Sequence, residues 1–536
     1  MNNLIIAEQL HQLAKLMELH QENPFKVKAI ATASSIIEKL NQDIDEKNYT
    51  QLGQIKGIGK NILEKIHEVL LYGKIKELEQ YESHTPPSVI EMLQVRGLGA
   101  ARVYKLWKEA GIESIEQLIE AAENNQLTNI KGFTKKTQES ILENAHFYLK
   151  NRNKLQLGVA MGIAHNVISF LRAHDISVEI TGELRRHCEI ITRIDLIAKQ
   201  HVDKYLESHI KTLSPIPVII HKSNEKDYAK DLFLTTGSEA FLSSLPLHFL
   251  SDDRHYASEK DIFRRMNMPY IIPPQRESIS EYAFVRDIPY THKPIEYSDI
   301  KGILHCHTTY SDGLHSLQQM ADYCREQGFE YLGICDHSQT AKYAGGLSPE
   351  HVLKQFNEID EYNHHHSDFK ILKGIESDIL KNGELDYEND LLQQFDFVVA
   401  SIHQHFEMDE KEATARLIKA IENPYTNILG HLTGRLLLIR KGYPVNHKKI
   451  IDACAANKVA IELNANTYRL DIDWRYLNYC MEKGVKIAIN PDAHSTTAMH
   501  DTKYGIMVAQ KAGIEKEHVI NTYSIHIIKK FFQKQL

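Results

Sequence analysis

The chain has 536 residues, of which 42% are hydrophobic, and a formal net charge of −8. That length accommodates three or four globular domains, and the acidic balance excludes a uniformly basic coat for nucleic acid, so any DNA binding has to be local. Six cysteines, at 188, 306, 324, 335, 454 and 480, form no C-x-x-C pair and read as reduced thiols of a cytosolic protein. Met1 to Met17 is an amphipathic helix pattern without the basic start and apolar core of a signal peptide, and nothing reaches transmembrane length.

The first 150 residues are helical and punctuated by glycine. Ile55-Lys56-Gly57-Ile58-Gly59, followed by Lys60, opens a helix running to Leu71, and Val95-Arg96-Gly97-Leu98-Gly99 opens another running to Ala110. This spacing resembles the helix-hairpin-helix motif. Its glycines let the backbone approach a phosphate, and the following helix offers free N–H groups. Two copies in one register, each with a basic residue before its first glycine, point to sequence-independent contact with a DNA backbone. A third copy, Ile130-Lys131-Gly132-Phe133-Thr134, lacks the second glycine and reads as structural.

Asn23-Pro24-Phe25-Lys26 with Ala29 and Ala31, together with the hairpins, resembles the start of a family X DNA polymerase. Thr181-Gly182-Glu183-Leu184-Arg185-Arg186 and Ile194-Asp195-Leu196 occupy the place of that family's palm signature. Lys230-Asp231-Leu232 resembles its third acidic strand, and Pro269-Tyr270-Ile271 with Pro273-Pro274 the end of its thumb. Two departures matter. Where the family pattern has a serine after the glycine and an aspartate two residues before Asp195, this chain has Glu183 and Arg193. A fixed cation in place of a metal ligand both removes the ligand and repels the ions, by roughly several kcal/mol in a partly desolvated site. Asp195 and Asp231 are therefore expected to survive only as vestiges of a polymerase site, with Mg²⁺ relevant only if that site were active. Lys65 falls where some family X members carry a Schiff-base amine, and is read as a phosphate contact on an exposed helix face.

From residue 300 onward, short apolar β-branched runs alternate with helical stretches such as Leu317 to Gln327, Pro349 to Tyr362 and Lys411 to Ile421. The runs are Ile303-Leu304, Tyr331 to Cys335, Ile371 to Ile375, Phe397 to Ile402, Ile428 to Gly430, Val459 to Leu463 and Ile487 to Asn490. Strand then helix, repeated about seven times, predicts a β/α barrel or a doubly wound sheet. Nearly every run is followed by imidazole or carboxylate: His305, His307, Asp312, His337, Glu376, His403, His431, Asp492 and His494. In a barrel these side chains converge on one mouth. Alternation puts His305 and His307 on one side and Cys306, read as packing, on the other. Nine candidates exceed what one ion can use. Two or three divalent ions sharing carboxylates fit better, and the mixed donor set suits zinc, manganese or iron rather than magnesium alone. Such clusters activate water and neutralise phosphoryl charge, so the reaction class is phosphoester hydrolysis. His364 to His366 read as solvated loop, and His315 and His405 as ambiguous extras. Arg435 and Arg469 are either phosphate clamps or surface salt bridges.

His305-x-His307-Thr308 with Ser311-Asp312-Gly313, Asp336-His337-Ser338, Gly374-Ile375-Glu376, Ser401-Ile402-His403, Gly430-His431 and Asp492-Ala493-His494 resemble the ordered motifs of the polymerase and histidinol phosphatase (PHP) family. That resemblance implies a distorted seven-stranded barrel with a trinuclear metal centre, used as a manganese-stimulated 3′–5′ exonuclease or as a phosphatase. Together with the polymerase-like first half, the chain resembles the bacterial PolX family.

The expected architecture is therefore multidomain α+β and α/β. It comprises a helical lyase-like domain at 1–82, a fingers-like hairpin domain at 83–150, a degenerate nucleotidyltransferase-like palm at 151–235 and a small thumb at 236–288. A linker with Pro289 and Pro294 at 289–300 leads to the PHP barrel at 301–536. The expected function is DNA binding with metal-dependent 3′–5′ exonuclease or phosphoesterase activity on gapped, nicked or 3′-ended DNA, by a cytoplasmic monomer that does not engage membranes. Polymerase activity is expected to be weak or lost. The alternatives are an active bifunctional polymerase and exonuclease, a small-molecule phosphatase, or a non-catalytic DNA-end binder.

Overall fold

The computed structural model describes residues 2–38, 40, 44–251, 254–277 and 293–533. Pro289 with the first residues of the expected linker, and part of the expected thumb, lie outside those residues. The chain divides into two compact units, Met1–Arg152 and Asn153–Leu536.

The first unit is helical. The helix Asn2–Leu19 buries Ile6, Leu10, Leu13 and Met17, an i, i+4, i+7 stripe, against the helix Pro24–Glu38. Gly57, Gly97 and Gly132 sit at φ +105°, +86° and +99°, backbone that residues with a Cβ rarely adopt. Gly59 and Gly99 are the N-caps of Lys60–Tyr72 and Ala100–Tyr104, and a Cβ added to either meets nothing within 4 Å. Lys56, Lys60 and Arg96 are exposed beside them. Beyond Tyr104 the second hairpin helix continues as a π turn, Lys105–Glu109. Lys65 departs from expectation. It is buried and paired with Glu77, because three residues past Ile62 it lies on the same inward stripe as Ile62, Ile66 and Val69.

The second unit begins with a short ladder, β1 (Leu155–Gln156) against β3 (Ile190–Ile191). A three-stranded sheet follows, with β2 (Val178–Thr181) antiparallel to β4 (Ile194–Ala198) and β5 (Val218–Lys222) parallel to it. Asp231 is not on a third acidic strand. It lies in the helix Tyr228–Thr236, whose buried Ala229, Leu232, Phe233 and Thr236 follow helical spacing, and the β-branched run of β5 takes the strand position instead. A small core of Phe233, Phe241, Ile262, Phe263 and Ile271 surrounds the fully buried Arg276, which pairs with Glu259.

The rest is a nearly closed barrel of seven parallel strands in sequential order: β6 (Gly302–Cys306), β7 (Tyr331–Ile334), β8 (Lys370–Asp378), β9 (Phe397–Ser401), β10 (Ile428–Leu429), β11 (Ala460–Asn464) and β12 (Ile487–Asn490). Closure runs through backbone hydrogen bonds just past the strand ends. His307 N donates to Ala493 O at 2.8 Å and Ala493 N to His305 O at 3.2 Å. Below the mouth the interior is filled by Leu304, Leu372, Phe397, Val399 and Ile428, with Phe532 of the helix Ile525–Phe532 stacked on Phe397 at 4.9 Å. His364 and His365 are exposed but end the helix Pro349–His365 rather than forming a loop. Among the described residues no helix is long and apolar enough to cross a membrane.

Candidate metal centre

All nine histidines and acids singled out in the second half converge at the carboxyl ends of the barrel strands. The strict alternation expected of β6 is broken. His305 has φ +56° and the register shifts between Ile303 and Cys306, so Leu304 and His305 both face inward while Cys306 packs outside, as expected. Asp492, across the closure, is also left-handed at φ +54°. Such backbone costs of order 1–3 kcal/mol per residue and persists where the surroundings over-determine it.

Glu376 is the hub. Its Oε1 lies 3.3 Å from His305 Nε2, 3.2 Å from His403 Nε2 and 3.0 Å from His431 Nε2, and its Oε2 lies 3.0 Å from His337 Nδ1. Asp312 Oδ1 stands 3.3 Å from His494 Nε2 and 3.6 Å from His337 Nε2, and Asp492 Oδ1 stands 3.1 Å from His307 Nε2. Three sets of donor atoms are close enough to share an ion: His307, Asp312, His337 and His494; His305, His307 and Asp492; and His337, Glu376 and His403.

The electrostatics suit cations. Burial opposes charge on Glu376, but His403, His305 and His337 outweigh it and hold the carboxyl well below its usual range. Burial likewise works against Asp312, which the His494 bond and His307 bring down to about 2. Desolvation would neutralise His403 and His494, yet Glu376 and Asp378 lift the first to about 10 and Asp312 and Asp492 lift the second to about 9. Burial and the neighbouring His494 and His337 push His307 down to about 3. Among buried atoms, His305 Nε2, His307 Nδ1, His337 Nδ1, His431 Nδ1 and Glu376 Oε2 make no hydrogen bond of normal geometry, even where two of them, His337 Nδ1 and Glu376 Oε2, stand 3.0 Å apart. Buried polar atoms in native proteins are normally satisfied, so this cluster of orphans, all on imidazole or carboxylate, fits divalent metal ions.

Sequence reasoning missed the residues that aim these ligands. Glu462 is buried in β11 and accepts from His305 Nδ1 at 2.6 Å, His431 N at 2.8 Å and Asn490 Nδ2 at 2.9 Å. Asp378 accepts from His403 Nδ1 at 2.5 Å, and the Asp492 carbonyl accepts from His494 Nδ1 at 2.9 Å. Each acceptor fixes the tautomer and turns Nε2 into the centre. Both carboxylates left a trace in the sequence, since Glu462 is an acid inside an apolar strand and Asp378 follows Glu376 by two residues on the same strand face. Asp336 accepts from Thr308 N at 2.8 Å, Ser311 Oγ at 2.5 Å and Gln355 Nε2 at 2.6 Å, and so pins the loop that carries Asp312.

The two arginines separate. Arg469 reaches the centre, with Nε 3.5 Å from Asp492 Oδ2. Arg435 does not, and is neither a clamp nor a surface bridge. It is partly buried, donating to Asp473 at 2.9 Å, to Arg469 O at 2.9 Å and to Leu470 O, because the chain after β11 folds over it and uses up its donors.

The palm-like sheet gathers no comparable set. Asp195, 1% exposed, receives Arg193 Nε on Oδ2 and His221 Nε2 on Oδ1, each at 2.8 Å. Asp231 accepts from Ser223 Oγ at 2.7 Å, and Glu183 accepts from Thr192 N and Oγ1 at 2.6 and 2.9 Å.

Family models place a helix-hairpin-helix domain at residues 1–75, a SAM-like helix-hairpin-helix tandem at 89–146 and a PHP domain at 304–466. Probable phosphatases of Thermoanaerobacter sp. (strain X514) and Caldanaerobacter subterraneus subsp. tengcongensis are 29% and 27% identical over 44% and 43% of this chain, and the matches span 96% and 90% of those proteins. The DNA polymerase/3′-5′ exonuclease PolX of Bacillus subtilis (strain 168) is 33% identical over 568 aligned residues, 98% of each chain. A match of that extent, with hairpins, palm-like sheet and barrel in one order, makes this chain a member of the PolX family.

Proposed function

We propose that the chain is a metal-dependent phosphodiesterase that removes nucleotides from DNA 3′ ends, using two or three divalent ions at the barrel mouth, with polymerase activity weak or lost. The observation that carries this reading is the contrast in carboxylate partners. Nine ligand-type side chains meet at the barrel mouth with orphaned nitrogens, while both oxygens of Asp195 in the palm are taken by Arg193 and His221.

When bound, the ions would supply Lewis acidity to the phosphodiester and lower the pKa of water. The chain's own residues do the rest. Glu462 and Asp378 hold His305 and His403 in the tautomer that presents Nε2, and Glu376, with His305, His337, His403 and His431 around it, would be among the residues that hold the ions. Arg469 offers guanidinium donors beside Asp492 to a phosphate oxygen. Gly57, Gly59, Lys60, Gly97 and Gly99 are assigned to the DNA backbone, and Lys65 drops out of that set because its amine is engaged by Glu77. Gapped, nicked or 3′-ended DNA is the expected substrate, and a cytoplasmic monomer the expected setting.

The test is a nuclease assay with manganese on 3′-recessed and single-stranded DNA, comparing wild type with His305→Ala/His307→Ala and with Gly57→Val/Gly97→Val. Loss of digestion in the first and weakened digestion in the second are expected. Digestion that survives loss of both histidines would overturn the metal assignment. The similarity of the barrel alone to probable phosphatases favours a second reading, hydrolysis of small phosphate esters. Turnover of such esters, with any DNA digestion indifferent to the hairpin changes, would select it.

A further inference from the structure

We propose that the palm remnant is a positioning element of the barrel centre, holding the loop that presents Arg469. This rests on the reading of that centre as a phosphodiesterase site. The loop from Ala465 to Asp473 leaves β11, runs past Asp492 as a turn at Thr467, Tyr468 and Arg469, and is tied back to β11 by a bridge between Asp471 and Asn464 before Trp474 opens a short helix. The barrel braces the base of this loop through Asp471, which bonds Asn464 and Thr433, so the turn that carries Arg469, 3.5 Å from Asp492, is the part that depends on further support.

Three contacts from the palm side reach this loop or its neighbour. Gly158, at the start of the helix Leu157–Arg172, lies directly under Thr467, and a Cβ there would stand 2.5 Å from Thr467 Cγ2. Gln156 Nε2 in β1 donates to Leu437 O at 3.1 Å, and Leu437 N donates in turn to Tyr468 O at 2.5 Å. Glu189, just before β3, accepts from Arg475 Nη1 at 3.3 Å. Arg475 bonds Asp473 at 2.9 Å, Asp473 bonds Arg435, and Arg435 holds the carbonyls of Arg469 and Leu470. A continuous chain of charged and backbone bonds thus runs from the palm hairpin to the peptide of Arg469.

The same hairpin is anchored on the barrel. Lys511, fully buried in the helix Thr502–Lys511, donates to Arg186 O at 2.9 Å and to Glu277 Oε1 at 3.2 Å, and Arg186 Nε reaches that carboxylate at 2.9 Å. His187 Nδ1 meets Met507 O at 3.1 Å. Arg186 and His187, which follow the short helix Gly182–Arg185, serve here as the docking point on the barrel.

The experiment uses full-length protein with manganese. It measures kcat and KM on 3′-labelled DNA and on bis(p-nitrophenyl) phosphate, together with bound metal and thermal midpoint. Gly158→Ala should displace Thr467 and lower kcat/KM by about tenfold at unchanged metal content, since misplacement of about 1 Å can cost up to 10²-fold. Adding Thr467→Ala, which removes the obstructing methyl, should restore most of it. Glu189→Gln, which leaves packing intact and covers the case of a poorly folded Gly158 variant, should cost about threefold. In an Arg469→Ala background neither change should cost anything further. Wild-type kinetics in both folded variants, or losses that multiply with Arg469→Ala, would overturn the proposal. Failure of the wild type to digest DNA would strike the substrate reading alone, because the positioning effect is also read on the ester.

Discussion

Two regions of this molecule bury carboxylates, and they resolve the cost in opposite ways. In the palm-like sheet Asp195 is met by Arg193 on one oxygen and His221 on the other, each at 2.8 Å. At the barrel mouth Glu376, Asp312 and Asp492 face six imidazoles, whose protons a divalent ion can replace. A permanently charged guanidinium cannot be displaced in this way. The number of imidazoles gathered on a carboxylate separates the two regions, since Asp195 has His221 whereas Glu376 has His305, His337, His403 and His431 within 3.3 Å.

The most severe way to break the contrast is His305→Ala/His307→Ala. Removing two ligands should lower manganese-dependent DNA digestion by roughly 10³-fold or more and strip metal from the protein, as checked by elemental analysis. Next is Glu462→Gln, which keeps shape but weakens the acceptor for His305. Manganese affinity, measured by calorimetry, should fall about 10- to 100-fold, the usual effect of losing an orienting partner. Arg469→Ala should reduce kcat/KM by about tenfold with metal content unchanged, whereas Arg435→Ala should first lower the urea midpoint, because it removes a partly buried hub of three hydrogen-bond acceptors. Equal effects from the two arginines would erase the distinction between them. Smallest is Arg193→Ala. Arg193 is more than half exposed, so the loss of stability is about 1 kcal/mol in urea unfolding. Manganese should still fail to bind at Asp195, since one freed carboxylate does not make a site.

His187 adds a pH dependence that sharpens the palm side. Burial depresses it to about 4, outweighing its bond to the Met507 carbonyl. The unfolded chain therefore binds the extra proton between pH 6.5 and 4, and stability should be full above 6.5 and fall as pH drops through that window. His187→Asn should flatten this slope in urea titrations, and an unchanged slope would remove the palm–barrel contact as its source.

Much of this was legible in the sequence because the barrel repeats one signal, a β-branched run ending in an imidazole or carboxylate. That signal located all seven strands and all nine converging side chains. It could not show the bulge at His305, where alternation fails through one left-handed residue. Nor could it separate Arg435 from Arg469, because both follow strand ends and only the fold of residues 465–473 decides which is consumed by Asp473 and backbone carbonyls. Lys65 and Asp231 were legible but misread. Each sits in a helical stripe, Ile62, Ile66 and Val69 for one and Ala229, Leu232 and Phe233 for the other, and family resemblance was weighed above periodicity.

The central claim is that the barrel mouth is the active centre and the palm is not. One incubation tests it directly: full-length protein with a 5′-labelled primer on a gapped template, manganese and all four nucleotides, resolved by product length. The account predicts a ladder of shortened primers that disappears in His305→Ala/His307→Ala, with no extension in either protein. Robust extension of the primer, above all by the double variant, would contradict it.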